Sequence, residues 1–281
     1  MLDSQIIKKI EEFVYAKPRS IQEIAEHLGK NWRTADRYID SIVKDYGTLS
    51  TRVFRGGTRG ALKIAFWASI EKASHNIFQE QLEKEIFAGK RKEDFAAFDI
   101  FQFIEDKNKK ARVKIGETES EGELDSLKEI LESAEKQLLI FSGNLSFINF
   151  KNKKVDIFEV LKNIVKKGVN IKIVSRVDLP GMENIIKILD LNNIKGKELI
   201  EIRHKEQPLR CIIVDNKFFN IKEIKSPTGR TGELNKKIFL FYNIKDKEWT
   251  EWITKIFWKI FSSSVNANKR IEELNKLKIR F

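Results

Sequence analysis

Apolar residues recur at helical spacing along the first third of the chain and gather into short continuous runs along the rest. Ile6, Ile10, Phe13 and Val14 form the inner stripe of a helix predicted over residues 4–16, which Lys17-Pro18-Arg19 breaks. Ile21, Ile24, Ala25 and Leu28 fall at i, i+3, i+4 and i+7, one face of a second helix over 20–29. Ser20 with Glu23 three residues on is a capping box, and Gly29 can take the left-handed conformation that ends a helix. Asn31 caps a third helix reaching about residue 46, with Ala35, Ile39, Ile42 and Tyr46 facing inward. Two strand-like runs follow, 49–54 and 61–67. They are joined by Arg55-Gly56-Gly57-Thr58-Arg59-Gly60, where glycine permits a tight turn and close approach to another backbone.

From 73 to about 112 the pattern reads as helical. Ile77, Phe78, Leu82, Ile86 and Phe87 make one stripe, and Phe95, Phe98, Ile100, Phe101, Phe103 and Ile104 make a segment apolar on more than one side. Such a segment is either core or a surface for a second copy, and the number of aromatics predicts a dimer. His75 has no partner in the sequence and reads as structural. The acidic, glycine-bounded stretch 116–123 reads as a linker. Beyond it helices and strands alternate. Helices are predicted over 124–134, 155–167 and 182–191. Strands are predicted over 137–142, 169–175, 199–203, 211–214, 217–221 and 238–242. A long helix over 247–262 and a basic helical tail to residue 281 close the chain. This alternation predicts an α/β unit with a partly parallel sheet. The expected organisation is 1–70, 71–115 as a helical connector, 116–123 as linker, and 124–281.

Composition narrows the partner. A net charge of +12 over 281 residues favours a polyanion, nucleic acid before an anionic membrane surface. The one cysteine, Cys211, excludes a disulfide framework, and no Cys/His spacing suggests zinc. No metal or cofactor is expected. With no secretory signal and no apolar run near the roughly 18 residues of a membrane span, the expected location is the reducing cytoplasm.

The order helix, turn, helix, basic glycine hairpin is that of a winged helix-turn-helix, so double-stranded DNA is the expected partner. The outward side of the third helix carries Arg33, Thr34, Arg37, Ser41 and Lys44. Arg33 and Arg37 lie one turn apart and suit phosphate or the paired acceptors of guanine. Asn31, Trp32, Arg33, Thr34, Arg37 and Tyr38 are the expected DNA-contacting residues of that helix. Arg52, Arg55 and Arg59 are expected at the hairpin tip, with Arg55 and Arg59 as its DNA-contacting residues. Trp32 packs either on a sugar-phosphate or on the domain core. The string LGKNWRTADRYIDSI resembles the recognition segment of bacterial and archaeal winged-helix regulators.

The stretch IEIRHKEQPLRCIIVDNKFF, with a helix-to-strand unit ending in KIV before it, resembles the phospholipase D superfamily. That superfamily's signature is His-x-Lys, four residues, then Asp. Laid over this chain, Asp215 matches the aspartate, Arg210 stands at the lysine and Pro208 at the histidine. The histidine is that superfamily's nucleophile, so Pro208 implies a silent site. His204, four residues upstream, is the one nearby substitute and is out of register. Two readings of Arg203, His204, Arg210 and Asp215 stand side by side: an ion-paired sheet end, or a remnant anion pocket. Together the two halves resemble the TrmB-type archaeal transcription regulators. The resemblance implies a mixed fold: an N-terminal α+β winged helix-turn-helix, a helical connector and a degenerate C-terminal α/β phospholipase-D-like domain. It further implies a non-enzymatic, dimeric regulator with a small anionic or sugar effector. The alternatives are a phospholipase-D-superfamily nuclease or repair factor, and an architectural DNA-coating protein.

Overall fold

A computed structural model of the chain describes residues 2–46, 48–55, 61–67, 75–116, 124–226 and 236–278. The N-terminal unit runs α1 (Ser4–Ala16), β1 (Arg19–Ser20), α2 (Ile21–Leu28), α3 (Trp32–Asp45), β2 (Leu49–Arg55) and β3 (Ala61–Trp67). Local chemistry sets these boundaries. Ser20 Oγ accepts the Glu23 amide at 3.2 Å while the Glu23 carboxylate accepts the Ser20 amide at 2.8 Å, which completes the capping box. Gly29 ends α2 at φ +64°, and Asn31 Oδ1 accepts the Thr34 amide at 2.9 Å to start α3. Ile10, Ile24, Ala35, Ile39 and Ile42 interlock into a buried core. Tyr46, expected inside, is exposed: α3 ends at Asp45, and residue 46 is only its C-cap.

The hairpin β2–β3, extended by β1 in the order β1-β3-β2, is covered on both faces. Leu49 and Ala65 join the helices' core, whereas Phe54, Leu62 and Ile64 belong to a second core shared with the rest of the chain. Alternation along a strand makes this double use unavoidable once both faces are apolar.

The remainder runs α4 (His75–Ala88), α5 (Phe98–Phe101), β4 (Lys109–Gly116), α6 (Leu124–Glu132), β5 (Gln137–Phe141), α7 (Ile157–Lys167), β6 (Asn170–Ser175), α8 (Met182–Leu189), β7 (Ile200–His204), β8 (Cys211–Val214), β9 (Phe218–Lys225), β10 (Lys237–Ile244), α9 (Lys247–Ser262), β11 (Val265–Asn266) and α10 (Ala267–Lys278). Eight strands form one mixed sheet, in the order β11-β7-β6-β5-β8-β9-β10-β4. The pairs β5–β6 and β6–β7 are parallel and the others antiparallel. In β5, Leu139 and Phe141 face the core containing α9, while Leu138 and Ile140 face the core of α6, α7 and α8. A strand buried on both sides reads as a continuous apolar run, which is how QLLIF reads.

The segment 73–112 is not one helical connector. It holds α4, the four-residue α5, a 3-10 turn over Asp106–Asn108 and the start of β4. Strand β4 pairs with β10 from Lys109↔Ile244 to Gly116↔Lys237, so this stretch is part of the large sheet. Phe95, Phe98 and Phe101 are buried and Phe103 packs against the same core. Phe98 meets Phe54 edge-on at 6.0 Å, and Phe101 lies 4.7 Å from Tyr242. These aromatics cement the N-terminal hairpin to the large sheet within one chain, so the reason they gave for a dimer no longer stands. Residues 117–123 of the expected linker lie outside the described residues, as do Gly56 to Gly60.

A charged network crosses the same junction. Lys225 Nζ stands 2.9 Å from Glu223 Oε1 and 3.6 Å from Glu23 Oε2, so the carboxylate that caps α2 also holds β9. Glu223 Oε2 accepts the Phe98 amide at 3.2 Å. Burial acts against the Lys225 charge, but Glu223 and Glu23 outweigh it and raise the pKa. Lys225→Met leaves the covered Glu223 carboxylate without its cation. We expect a loss of about 2 kcal/mol in urea unfolding, below the usual 3–5 for a fully buried pair because Lys225 keeps some solvent contact. An unchanged midpoint would mean the pair is replaced by water.

Candidate functional site

The solvent side of α3 is the first candidate. Arg33, Arg37 and Lys44 are exposed and fall on one line of the helix, spanning about 16 Å at 1.5 Å per residue. Their bearings come from the neighbours. The Arg33 guanidinium lies 5.9 Å from the Trp32 ring and that of Arg37 5.9 Å from Tyr38, and both rings pack on the N-terminal core. Trp32 itself is partly buried against that core. Asn31 and Thr34 are joined to each other by the cap bond, which fixes where α3 starts.

Of the three acids on α3, Asp36, Asp40 and the exposed Asp45, the first two share one cation. Lys63 of β3 reaches Asp36 Oδ1 at 2.7 Å and Asp40 Oδ1 at 2.5 Å. Burial lowers the Lys63 pKa, but its bonds to the two carboxylates win and raise it. The clamp also fixes the hairpin relative to α3. Nothing in the local sequence signals it. Arg52 departs from expectation: its Nη1 is 3.5 Å from Asp106 Oδ1 and its guanidinium 5.0 Å from the Phe101 ring, so it ties the hairpin to the body. Arg55 ends β2 opposite Ala61. Its side chain and all of Arg59 lie outside the described residues, as does the side chain of His75.

The second candidate is the edge of the large sheet where β5, β6 and β7 end. Because β8 runs antiparallel to β5, Arg210 lies beside Gly143. A Cβ on Gly143 would fall 2.7 Å from Arg210 Nη2, so only glycine lets the guanidinium lie there. Ser175 Oγ donates to the Gly143 carbonyl at 3.1 Å, and Arg176 pairs with Asp178 at 2.6 Å. His204 closes the group. Its Nδ1 accepts the Val177 amide at 2.9 Å, and burial, with Arg270 nearby, lowers its pKa. The ring is therefore held neutral with its proton on Nε2 and its lone pair committed to the backbone.

Pro208 is buried against Gly89, where a Cβ would meet its Cγ at 2.8 Å. Next to it, Gln207 donates to the Ser142 carbonyl at 2.9 Å and accepts the Leu209 amide at 2.6 Å, which pins the loop that presents Arg210. Gln207 is a buried anchor that the sequence reading missed. An amide flanking a proline carries no distinguishing pattern.

Asp215 is not part of this group. It follows the other end of β8, about 16 Å from Arg210 for five extended residues. There its carboxylate accepts the amides of Glu135, Lys136 and Gln137 at 2.9, 2.9 and 2.8 Å. Arg203 takes the ion-paired role, with Nε 2.8 Å from Glu201 Oε1. Among the described residues no group of three or more His, Cys, Asp and Glu could hold a metal ion, and burial pushes the Cys211 thiol far up, so it stays protonated. No described helix is long and apolar enough to cross a membrane.

These features define a mixed α/β protein in which an N-terminal unit of three helices and an antiparallel hairpin is docked on a large mixed sheet. Compared with family models and with curated proteins, the sequence gives no match. Among solved structures it is similar to TrmBL2, an archaeal chromatin protein, at 16% identity over 94% of this chain and 93% of that one, with a TM-score of 0.36. It is also similar to Nuc from Salmonella typhimurium, a phospholipase D family member, at 15% identity over 56% of this chain and 98% of that one, TM-score 0.38. NucT from Helicobacter pylori gives 16% identity over 56% and 99%, TM-score 0.37.

Proposed function

We propose that the chain is a non-catalytic duplex-DNA-binding protein whose N-terminal unit is a winged helix with α3 as its reading helix. One observation carries this: Arg33, Arg37 and Lys44 stand in an exposed line on a capped helix, two of whose three acids, Asp36 and Asp40, are drawn to Lys63. Inserted in the major groove, the two arginines can make paired contacts to guanine or grip phosphate, and Lys44 adds a phosphate contact. The hairpin is held by Arg52 and Phe54, so the unit meets DNA as a rigid body with the large sheet behind it. Binding is expected to fall with salt, at a log–log slope of roughly −5 to −7 for about five to eight phosphate contacts per dimer. A slope near zero in fluorescence-anisotropy titrations would mean that the charge serves something other than DNA. Genome-wide occupancy separates the two forms of this function: sharp peaks for a transcription regulator, broad coverage for an architectural protein.

Catalysis is set aside on chemical grounds. Phosphoryl transfer through a covalent intermediate needs a nucleophile beside cations that hold the phosphoryl oxygens. Pro208 offers no nucleophile, the His204 lone pair accepts a backbone amide, and Asp215 is used at the far end of β8. Purified protein is expected to leave a generic phosphodiester uncleaved in EDTA. Cleavage that disappears in His204→Ala would move the protein to the nuclease class.

A further inference from the structure

The face of the large sheet opposite the docked hairpin carries a groove of about 450 Å3, bounded by α6. Ile238, Leu240 and Tyr242 of β10 face the core that holds Phe54, so Phe241 and Asn243 face the other way. Asn243 stands beside Asn220 of β9 on one side and Lys110 of β4 on the other, and Phe241 stands beside Arg112. Arg112 Nη2 donates to Ser126 Oγ of α6 at 2.5 Å, which sets α6 across this face. Asp125 and Glu129, one helical turn apart, complete the lining from α6. The volume is in the range of small-molecule sites.

The polar groups of this groove do not satisfy one another. Lys110, Asp125 and Glu129 are exposed, and none is in an ion pair among the described residues. Cations from β4 therefore face carboxylates from α6 beyond salt-bridge distance, where water and salt screen their attraction. Asn220 and Asn243 are half-buried, and neither side-chain amide has a hydrogen-bond partner among the described residues. Asparagine is disfavoured within strands, so two of them in register on one sheet face contribute nothing visible to the fold. We infer that this groove binds an α-amino acid with a carboxamide side chain, as its zwitterion. The carboxylate is taken by Lys110 and the remaining donors of Arg112, the ammonium by Asp125 and Glu129, and the side-chain amide by the two asparagines.

The ligand class follows from how the accessible charges divide between the walls. An anion alone would meet Asp125 and Glu129, and a cation alone would meet Lys110 and Arg112. The same two carboxylates disfavour a nucleic-acid backbone at this place. A neutral polyol would leave all four charges as they are. A zwitterion turns two screened, distant attractions into charge-assisted hydrogen bonds. Each asparagine offers an oxygen acceptor and two N–H donors, and a carboxamide offers the same set in return. Spanning the groove, such a ligand ties α6 to β4 on a face that neither α3 nor the β5–β7 sheet edge uses.

The test is calorimetric titration of the full chain with L-glutamine, without DNA, so that the result does not depend on whether the protein binds DNA. Three analogues each remove one element: N-acetyl-L-glutamine the ammonium, L-glutaminamide the carboxylate, and L-norleucine the side-chain amide. The first two are expected to bind at least tenfold more weakly than L-glutamine, and the third several-fold more weakly. The double change Asp125→Asn, Glu129→Gln and the single change Lys110→Gln alter exposed side chains and should leave the fold intact by circular dichroism. The double variant should lose the preference for L-glutamine over its N-acetyl form, and Lys110→Gln should narrow the preference over L-glutaminamide several-fold. No binding of L-glutamine at millimolar concentration, an analogue that binds as L-glutamine does, or a preference for the free ammonium that survives the double change on α6 would each overturn the inference.

Discussion

Replacing Arg33 and Arg37 together by alanine is expected to weaken binding of a preferred duplex by at least about 30-fold. Each arginine that reads a base is worth about 1–3 kcal/mol, and two of them one helical turn apart act on adjacent base pairs. Their effects are not expected to add fully, because they share a groove and are close enough to couple. Neither residue carries fold: both are exposed, and the core side of α3 is held by Ala35, Ile39 and Ile42. Thermal stability should therefore stay within about 0.5 kcal/mol of wild type. Lys44→Ala gives the contrast. It should weaken all sequences alike and reduce the salt slope by about 1, as a lost phosphate contact does. Anisotropy titrations of specific and scrambled duplexes at two salt concentrations separate the cases. If the double variant binds both as wild type does, α3 is not in the groove.

How far these residues could be read without coordinates depends on how local their determinants are. The start of α2, its stop at Gly29 and the start of α3 are written within three or four residues of each other, and the structure places those ends at the residues the caps indicate. The outward line of α3 follows from spacing alone. What pairs with Asp36 and Asp40 does not, because Lys63 is 27 and 23 residues away in sequence. Strand β4 was misread for a physical reason. Its apolar positions Ala111, Val113 and Ile115 alternate with Lys110, Arg112 and Lys114, a period of two. Coming after a helix and carrying so many cations, that pattern passes for the solvated end of a helix. Segment 95–104 misled in the other way. It is apolar on all sides because it is a short buried plug between two layers, and neither a long helix nor an external surface. The alternating strands and helices of the second half were legible because each strand buried on both faces makes a compact apolar run.

The sequence match at Asp215 pointed to chemistry, but its contacts point to folding, and the expected cost of removing it is large. The residue occupies the left-handed region at φ +50° in the turn between β8 and β9. Its carboxylate is 2% exposed and gathers three amides from the loop that leads into β5. Hydrogen bonds to a charged acceptor contribute about 1.5–3 kcal/mol each at most and do not add fully, since the amides share two oxygens. Asp215→Ala should therefore cost about 3–5 kcal/mol at pH 7, including roughly 1 for an alanine in a left-handed turn. Asp215→Asn keeps the shape and tolerates the backbone angle, and should cost about 2–3. The pH dependence identifies the cause. Burial raises the Asp215 pKa, but the three amides outweigh it and bring it below the usual carboxylate value. A carboxylate with a depressed folded pKa contributes stability that is complete above its unfolded pKa, about 4, and is lost as pH falls through the folded value. The gap between wild type and Asp215→Asn in urea unfolding should therefore be widest near pH 7 and shrink steadily below about pH 4. A gap that stays constant down to pH 2.5 would show that shape, and not the ionised carboxylate, holds the β8–β9 turn against β5.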